Sequence, residues 1–469
     1  ITDLASSYDN QLLTEKSINN SFIKPTVYSL REQLIKLNLT NNFKNIDFNF
    51  LNKFEKEISS NSIIKNFLKD ILLNNLYGAR KVVYHPSNKD IYYKFCENIS
   101  KKIIDIFSSN KIKFVYSPNT SNFVRNLILD YCKFKKIQFF WVTFRILNKL
   151  VLVDLSKKNN HYFADKLNSD KKYFNILRKQ LLKKSYKVEN NNLQDFKIFV
   201  KKFLKKIYLY TRIFKNDYLG LKKQRINKSH SNFFYTKSTL GSMLYWIKKD
   251  FNSYYVQKYC QKNHKLKLNK IKKNKYIFYP LHVTPEAGVY DQSELYDQIY
   301  LIQRIAKNLP IDTYLVVKPH PANFTSNGEC EDLNWYKEID NIFNVILISH
   351  NVNSLYLIKN SIGVVSVSGS ASLEANLMEK PSFLFGSTEF SNLYGIYKFN
   401  NNFFQSINKF DRKKLRENFK FFNYFNTKSF ELKNYNNFLA PDDKFLKTKK
   451  CKNLFDFFAK QILNNVKKI

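Results

Sequence analysis

From Tyr276 to Phe385 the chain alternates short β-branched and aromatic runs with amphipathic segments, and this alternation constrains the fold more than any other feature. Tyr276-Ile277-Phe278-Tyr279, Thr313-Tyr314-Leu315-Val316-Val317, Asn344-Val345-Ile346-Leu347-Ile348, Gly363-Val364-Val365-Ser366-Val367 and Ser382-Phe383-Leu384-Phe385 read as strands. Between them helices are predicted over Leu295 to Leu309, Ser354 to Lys359 and Ser372 to Met378. Strands and helices in this rhythm build a parallel sheet with helices on both faces. A doubly wound α/β domain is therefore expected over 270–400.

A fainter copy of the pattern lies upstream. Val82-Val83-Tyr84, Lys113-Phe114-Val115-Tyr116 and Ile137-Gln138-Phe139-Phe140-Trp141 read as strands separated by helical stretches, so a first Rossmann-like domain is expected over 76–155. Residues 1–75 read as polar helices, and 401–469 as an aromatic-rich helical tail. Residues 156–269 form a Lys-rich, largely helical region. Within it Phe196, Phe199, Phe203, Ile207, Tyr210 and Phe214 recur at helical spacing, with Lys197, Lys201, Lys202, Lys205 and Lys206 between them. Two readings of this basic amphipathic helix stand: a helix packed on its domain with a solvated Lys face, or a surface for anionic lipid or a polyanionic acceptor.

Composition narrows the classes. At roughly 150 residues per domain, 469 residues suit two or three domains. A 44% hydrophobic content excludes a disordered polymer. Lys+Arg 78 against Asp+Glu 38 gives a net charge of +40, which attracts polyanions, nucleotides or anionic membranes without choosing among them. Part of that excess is background, because Asn, Lys, Ile, Phe and Tyr crowd the whole chain as in an AT-rich coding sequence. The cysteines Cys96, Cys132, Cys260, Cys330 and Cys451 are scattered and form no CxxC, so neither a disulfide framework nor a structural zinc site is expected. A reducing cytoplasm fits them best. No apolar run approaches the roughly 18 residues of a membrane span. The chain opens on Ile1 with no signal-peptide pattern.

The chemistry-bearing residues of the second domain fall just after strands. Pro280-Leu281-His282-Val283-Thr284-Pro285-Glu286-Ala287-Gly288 follows the first strand, Lys318-Pro319-His320-Pro321 the second, and Ser368-Gly369-Ser370-Ala371-Ser372-Leu373-Glu374-Ala375 the fourth. In an open parallel sheet these loops share the carboxyl edge, where ligands bind. Ser366, Ser368, Ser370 and Ser372 offer hydroxyl donors, Gly369 permits close backbone approach, and a helix N-terminus follows. The competing reading is an ordinary Ser cap with small residues for tight packing. Pro319 and Pro321 stiffen the loop around His320. A donor imidazole there, with Lys318 beside it, would neutralise a departing phosphate. Glu374 is either a carboxylate placed by the helix dipole or an acceptor for ribose hydroxyls.

These runs, together with Asp297-Gln298 and Lys380-Pro381, resemble the bacterial capsular polysaccharide biosynthesis family, which includes the Kdo transferases of capsule assembly. The likeness covers about 270–390 in order and spacing. It also extends to the HP and Ser-rich motifs of bacterial sialyltransferases, which use CMP-activated sugars. The resemblance implies the GT-B architecture: two Rossmann-like domains facing a cleft, with a nucleotide on the C-terminal one. It implies that Lys318, His320, Pro321, Ser368, Gly369, Ser370, Ser372 and Glu374 bind the nucleotide, His320 and Pro321 at its phosphate and Glu374 at the ribose or base. Glu286 is the candidate catalytic carboxylate, with His320 assisting the departing phosphate. Where many relatives carry Lys-Glu-His-Pro this chain has Lys318-Pro319-His320-Pro321, and where many carry Gly-Thr it has Ser368-Gly369-Ser370.

The expected function is sugar transfer from a nucleotide donor, CMP-linked and Kdo-like, to a glycan or lipid-linked acceptor of surface polysaccharide. That work belongs in the cytoplasm or at the inner face of its membrane. No cofactor or metal is expected, since positive groups and a helix dipole can stabilise the leaving phosphate. Two alternatives share the architecture: a sugar 2-epimerase and a polyol-phosphate transferase. A third is a non-catalytic basic protein that binds nucleic acid. The charge allows it, but the sequence shows no helix-turn-helix, RRM-like or zinc-finger motif, and no nucleic-acid partner is expected.

Overall fold

The structure, a computed structural model, describes residues 114–117, 123–144, 149–156, 170–188, 239–283, 297–324, 330–388, 390–432 and 448–466, with residues 107, 112, 200, 204, 208 and 293 singly. The chain divides into two compact units. One comprises 1–77, 88–168 and 420–469; the other comprises 78–87 and 169–419. The strand expected at Val82 to Tyr84 and the helices of 1–75 lie outside the described residues.

The first unit opens with strand β1 (Phe114–Ser117), helix α1 (Phe123–Lys135) and strands β2 (Gln138–Phe144) and β3 (Lys149–Asp154). Lys136 ends α1 in the left-handed region at φ 56, and the Ile137 N–H returns 2.8 Å to the Cys132 carbonyl, which satisfies one of the helix's last acceptors. β1 and β2 pair in parallel, but β2 and β3 pair antiparallel. The described part of the Rossmann-like domain expected over 76–155 therefore carries a mixed sheet, not an all-parallel one. The reason is loop length. Phe144 and Lys149 are too close in sequence for a crossover, which needs roughly a dozen residues, so the chain turns back on itself.

The second unit begins with helices α2 (Lys172–Ser185), α3 (Thr239–Gln261) and α4 (His264–Lys273). Then come β4 (Lys275–Pro280), α5 (Gln298–Lys307), β5 (Thr313–Lys318), α6 (Leu333–Asp340), β6 (Val345–Leu347), α7 (Ser354–Asn360), β7 (Gly363–Ser366), α8 (Ala371–Leu377), β8 (Ser382–Leu384), β9 (Ile396–Lys398) and α9 (Phe403–Asn408). The helix starts follow from capping chemistry. Asp297 accepts from the N–H groups of Ile299 and Tyr300, Asp332 from Trp335, and Asn353 from Leu355.

The six strands lie in the order β6-β5-β4-β7-β8-β9, and every neighbouring pair is parallel. The chain steps from β4 outward to β6, then crosses back to β7 on the far side of β4. The order therefore reverses between β4 and β7, and that switch point opens a crevice at the carboxyl ends of the two strands. β4, β5 and β7 are apolar almost throughout because both faces of the sheet are covered. Ile277, Tyr279, Leu315, Val317 and Val365 share one core with Ile302 and Ile305 of α5, Tyr336 and Ile339 of α6, and Val256 of α3. α2, grouped by sequence with a separate basic region, packs on α7 and α8 and belongs to this unit.

The tail returns to the first unit through α10 (Phe419–Lys428), β10 (Ser429–Glu431) and α11 (Lys449–Val466). β10 pairs antiparallel with β3, so the expected helical tail also supplies a strand. Of the basic helix expected around 196–214, only residues 200, 204 and 208 are described; each is helical, and Leu204 and Tyr208 are exposed. Its lysines lie outside the described residues.

Gly395, between β8 and β9, has φ +83, and a Cβ there would stand 2.7 Å from Phe410 Cε2. The Phe410 ring is stacked on Tyr394 and has little room to yield. Gly395→Ala is expected to lower stability by about 2 kcal/mol, from left-handed strain and overpacking together. Urea denaturation measures this, and an unchanged midpoint would count against the strain.

Candidate active site

β4 delivers His282 to the switch point. Its backbone N–H donates to Gln298 Oε1 at 2.8 Å, and Gln298 Nε2 returns to the His282 carbonyl at 3.4 Å. Its ring accepts at Nε2 from the Val367 N–H at 3.3 Å, which ties the end of β4 to the end of β7. A neutral ring that accepts at Nε2 carries its hydrogen on Nδ1. Gly369 fits this arrangement because a Cβ there would come within 3.1 Å of His282 Cε1. Sequence reasoning placed Gly369 as a point of close approach to phosphate; in the structure the close neighbour is the imidazole.

β5 delivers Lys318 and His320. Lys318 is buried, and its Nζ donates to the Ser354 hydroxyl at 2.8 Å, at the start of α7. Burial pulls its pKa down to about 8, with Glu374 opposing the shift. His320 is exposed and heads the short turn Pro321–Phe324. The Ala322 N–H donates to His320 Nδ1 at 3.1 Å, and the Asn323 N–H to the His320 carbonyl at 3.1 Å. With Nδ1 accepting, the neutral ring keeps its hydrogen on Nε2. The turn adds to the two prolines as a device that fixes the ring. Pro321 is exposed beside it.

The Ser loop after β7 divides its hydroxyls. Ser372 is fully buried, and its Oγ lies 2.9 Å from the Ser366 hydroxyl, so this pair links β7 to α8 inside the fold. Ser368 and Gly369 are half-buried and Ser370 is exposed. Ser370 occupies the N-cap position of α8 without a side-chain cap bond. Glu374, in the first turn of α8, reaches solvent in part, yet its carboxyl group is desolvated. Burial raises its pKa to about 7, with Lys318 and then Lys184 of α2 holding the shift in check. Asn353 fixes Lys184's neighbourhood, since its Nδ2 donates to the Lys184 and Lys187 carbonyls at 2.8 and 2.9 Å.

Burial shifts Lys318 and Glu374 in opposite directions, and the charge of each opposes the other's shift. Glu286 lies outside the described residues. His350, in the turn after β6, was not singled out by sequence. It is buried, its pKa is lowered to about 4 by burial and then by Lys318, and its ring meets Phe324 with centroids 4.5 Å apart. The signal was available, because Ser349-His350-Asn351 follows a strand as the other three loops do. Among the described residues no group of three His, Cys, Asp or Glu stands where it could hold a metal ion, and no helix is long and apolar enough to cross a membrane.

Residues 179–400 match the family described as capsule polysaccharide biosynthesis protein. This is the family that the motifs of 270–390 resemble, and the second sheet with all three loops falls within the match. No curated protein matches the chain. Among solved structures the chain is similar to Thermosulfurimonas dismutans KpsC, a beta Kdo 2,7 transferase, at 12% identity and TM-score 0.28, covering 64% of this chain and 78% of that one. The beta Kdo 2,4 transferase of KpsC from the same organism matches at 9% identity and TM-score 0.30, covering 66% and 78%. The wall teichoic acid polymerase TagF matches at 16% identity and TM-score 0.21, covering 44% and 48%. Likeness at these values fixes neither donor nor acceptor.

Proposed function

We propose that this chain, which carries the capsule polysaccharide biosynthesis pattern over 179–400, is a metal-independent glycosyltransferase of GT-B type. It transfers a sugar from a CMP-linked, Kdo-like donor to a glycan or lipid-linked acceptor of surface polysaccharide. The observation that carries the reading is the buried Lys318, its Nζ bonded to Ser354, at the carboxyl edge of a parallel sheet whose order reverses beside it.

In this reading the nucleotide lies along that edge. The exposed His320 Nε2–H, the Ser368–Ser370 segment and the positive charge on Lys318 stabilise the leaving phosphate as the glycosidic bond breaks through an oxocarbenium-like state. Glu374 accepts from the ribose hydroxyls. Ser372 supports the loop from within rather than touching the phosphate, because its hydroxyl is bonded to Ser366. Glu286 takes the proton of the acceptor hydroxyl. The net charge of +40 suits an anionic acceptor or the inner face of an anionic membrane.

A thermal-shift screen of CMP, CDP, UDP and GDP tests this. A ligand that binds only the folded state stabilises it by about 2.7 kcal/mol at a hundred times Kd. The expected result is a rise in melting temperature with CMP. A larger rise with CDP would move the reading to a polyol-phosphate transferase. Response to an oligonucleotide alone would end it.

A further inference from the structure

The amino edge of the second sheet, opposite the catalytic loops, holds two large apolar side chains that the fold itself does not need there. Ile311 and Phe343 are each 90% exposed, more than any other large apolar residue described. Both stand in tight turns that lead into a strand. The Thr313 N–H donates to the Pro310 carbonyl at 3.0 Å just before β5, and the Val345 N–H to the Ile342 carbonyl at 3.0 Å just before β6. Ile311 and Phe343 occupy the tips of these turns. Gly, Pro, Asn, Asp and Ser favour turns for local reasons, and neither Ile nor Phe shares those reasons. The two tips are neighbours, because β5 and β6 pair in parallel and the Leu315 N–H donates to the Asn344 carbonyl at 2.8 Å. Lysines flank them. β4 lies on the other side of β5 with Lys275 in register with Thr313, and α4 runs into β4 through Lys272 and Lys273. Lys307 ends α5 at the same edge, and all four lysines are exposed. No acidic residue occurs from His264 to Lys275. Of the acids nearby, Asp340 is matched by Lys267 at 2.9 Å, and Glu338 follows Lys337. Asp312 stands 3.8 Å from Lys275, but with both side chains about two-thirds exposed (68% and 63%) that pair binds weakly and can exchange.

We propose that this amino edge is a docking surface for an anionic lipid bilayer, with Ile311 and Phe343 entering the interface and Lys272, Lys273, Lys275 and Lys307 meeting lipid phosphates. Apolar tips ringed by cations supply both terms of interfacial binding: burial of apolar area and attraction to anionic headgroups. Lysine also suits the boundary, since its stem can lie along acyl chains while its ammonium stays at headgroup level. An acidic protein surface would satisfy the lysines and set charge against the two tips. An apolar one would bury the tips and strand the lysines. A bilayer of anionic lipid satisfies both at once. The inference goes beyond the nucleotide-donor reading and does not rest on it. It also fixes an orientation. β4 has six residues, so at a rise of about 3.3 Å each the catalytic edge stands roughly 20 Å from the docked one. A docked protein therefore presents its catalytic loops away from the headgroups.

The test sediments the full chain with vesicles of phosphatidylcholine alone and with vesicles containing about one third phosphatidylglycerol. The wild type should bind the anionic vesicles far better than the neutral ones. Binding should weaken as salt rises, because exposed charges are screened within about 8 Å at physiological ionic strength. Ile311→Ser combined with Phe343→Ser should weaken it roughly tenfold or more, through lost apolar burial. Changing Lys272, Lys273 and Lys275 to Gln should weaken it on the order of a hundredfold and flatten its salt dependence. Both variants should keep the wild-type urea midpoint, since the altered side chains are exposed. In Phe343→Trp, acyl chains carrying bromine should quench fluorescence beyond the level set by the native tryptophans. Binding that persists in the serine variant would overturn the assignment of this edge. So would binding lost instead when Lys197, Lys201, Lys202, Lys205 and Lys206 become Gln. Self-association of the wild type that the serine variant abolishes would mean that the tips cover a second copy, and would overturn it too. Equal binding to neutral vesicles, or none to either, would end the proposal. None of these outcomes bears on the donor reading, which nucleotide titration tests separately.

Discussion

His320→Ala is expected to lower sugar transfer by roughly 10²–10³, the cost of losing one preorganised donor to a developing charge. The fold should survive, because the side chain is exposed and the bond it accepts from the Ala322 N–H lies within its own turn. That bond allows a sharper experiment. Asparagine can replace Nδ1 as acceptor for the Ala322 N–H, and glutamine can place an N–H near the position of Nε2. If the ring acts through its Nε2–H, His320→Gln should retain more activity than His320→Asn, and His320→Asn should fall about as far as alanine. The reverse order would mean that the imidazole only shapes the turn. Nucleotide affinity should drop in the alanine variant, since the same donor meets the ground-state phosphate. Glu286→Gln should differ by keeping nucleotide affinity while losing turnover, as expected for a base that acts on the acceptor. Transfer assays and nucleotide titrations on both proteins separate the roles.

The second sheet was readable because each of its central strands is buried on both faces. Such strands must be apolar along their whole length, and Tyr276 to Tyr279, Leu315 to Val317 and Val364 to Val367 stand out without any alternation to decode. Two further strands carry little pattern of their own. Ile396–Lys398 is a three-residue edge strand, and Ser429–Glu431 is placed by pairing with Leu150 and its neighbours rather than by its own composition. Parallel or antiparallel pairing in the first sheet depended on recognising Lys149–Asp154 as a strand, which its Leu-Val-Leu-Val run allowed.

The site was legible as a set of loops and illegible as a set of contacts. Lys-Pro-His-Pro and the Ser-rich run marked themselves by residue type, and the strand-end rule put them on one edge. No spacing rule could report that Ser372 turns inward to Ser366, that Gly369 leaves room for His282, or that Lys318 Nζ lies beneath α7. These depend on which face of a strand or helix turn a side chain leaves by. The turn after β6 follows its strand as the other loops do, but Ser349-His350-Asn351 says nothing of depth. Its message is the burial of His350 and Asn351, which only the packed structure supplies.

Burial also makes Lys318 the place where folding and function oppose each other, and Lys318→Met should show both sides. At neutral pH the folded protein holds this ammonium charge in a site that lowers its pKa from 10.5 to about 8. A shift of that size costs the fold on the order of 3 kcal/mol. Methionine avoids the charge but gives up the bond to Ser354, so a net gain of about 1–2 kcal/mol is expected at pH 7. The gain should depend on pH in a defined direction. Between pH 8 and 10.5 the unfolded chain still holds the Lys318 proton while the folded chain has released it. The unfolded state then binds more protons, and wild-type stability rises with pH across that window. The advantage of the methionine variant should therefore shrink from pH 8 upward and be lost near 10.5. Glu374 does not imitate this effect. Its raised pKa of about 7 makes the folded state the better proton binder between 4.5 and 7, so its contribution falls with rising pH, in a lower window. Nucleotide affinity should move against stability: roughly a hundredfold weaker in Lys318→Met at pH 7, and weaker in the wild type as pH passes 8, because the phosphate loses its buried counter-charge. Urea denaturation at pH 7 and pH 10, with nucleotide titration at both, measures the two effects together. A variant less stable than wild type at pH 7, or one whose advantage is the same at pH 10, would show that Lys318 is held in place to support α7 rather than to meet a phosphate.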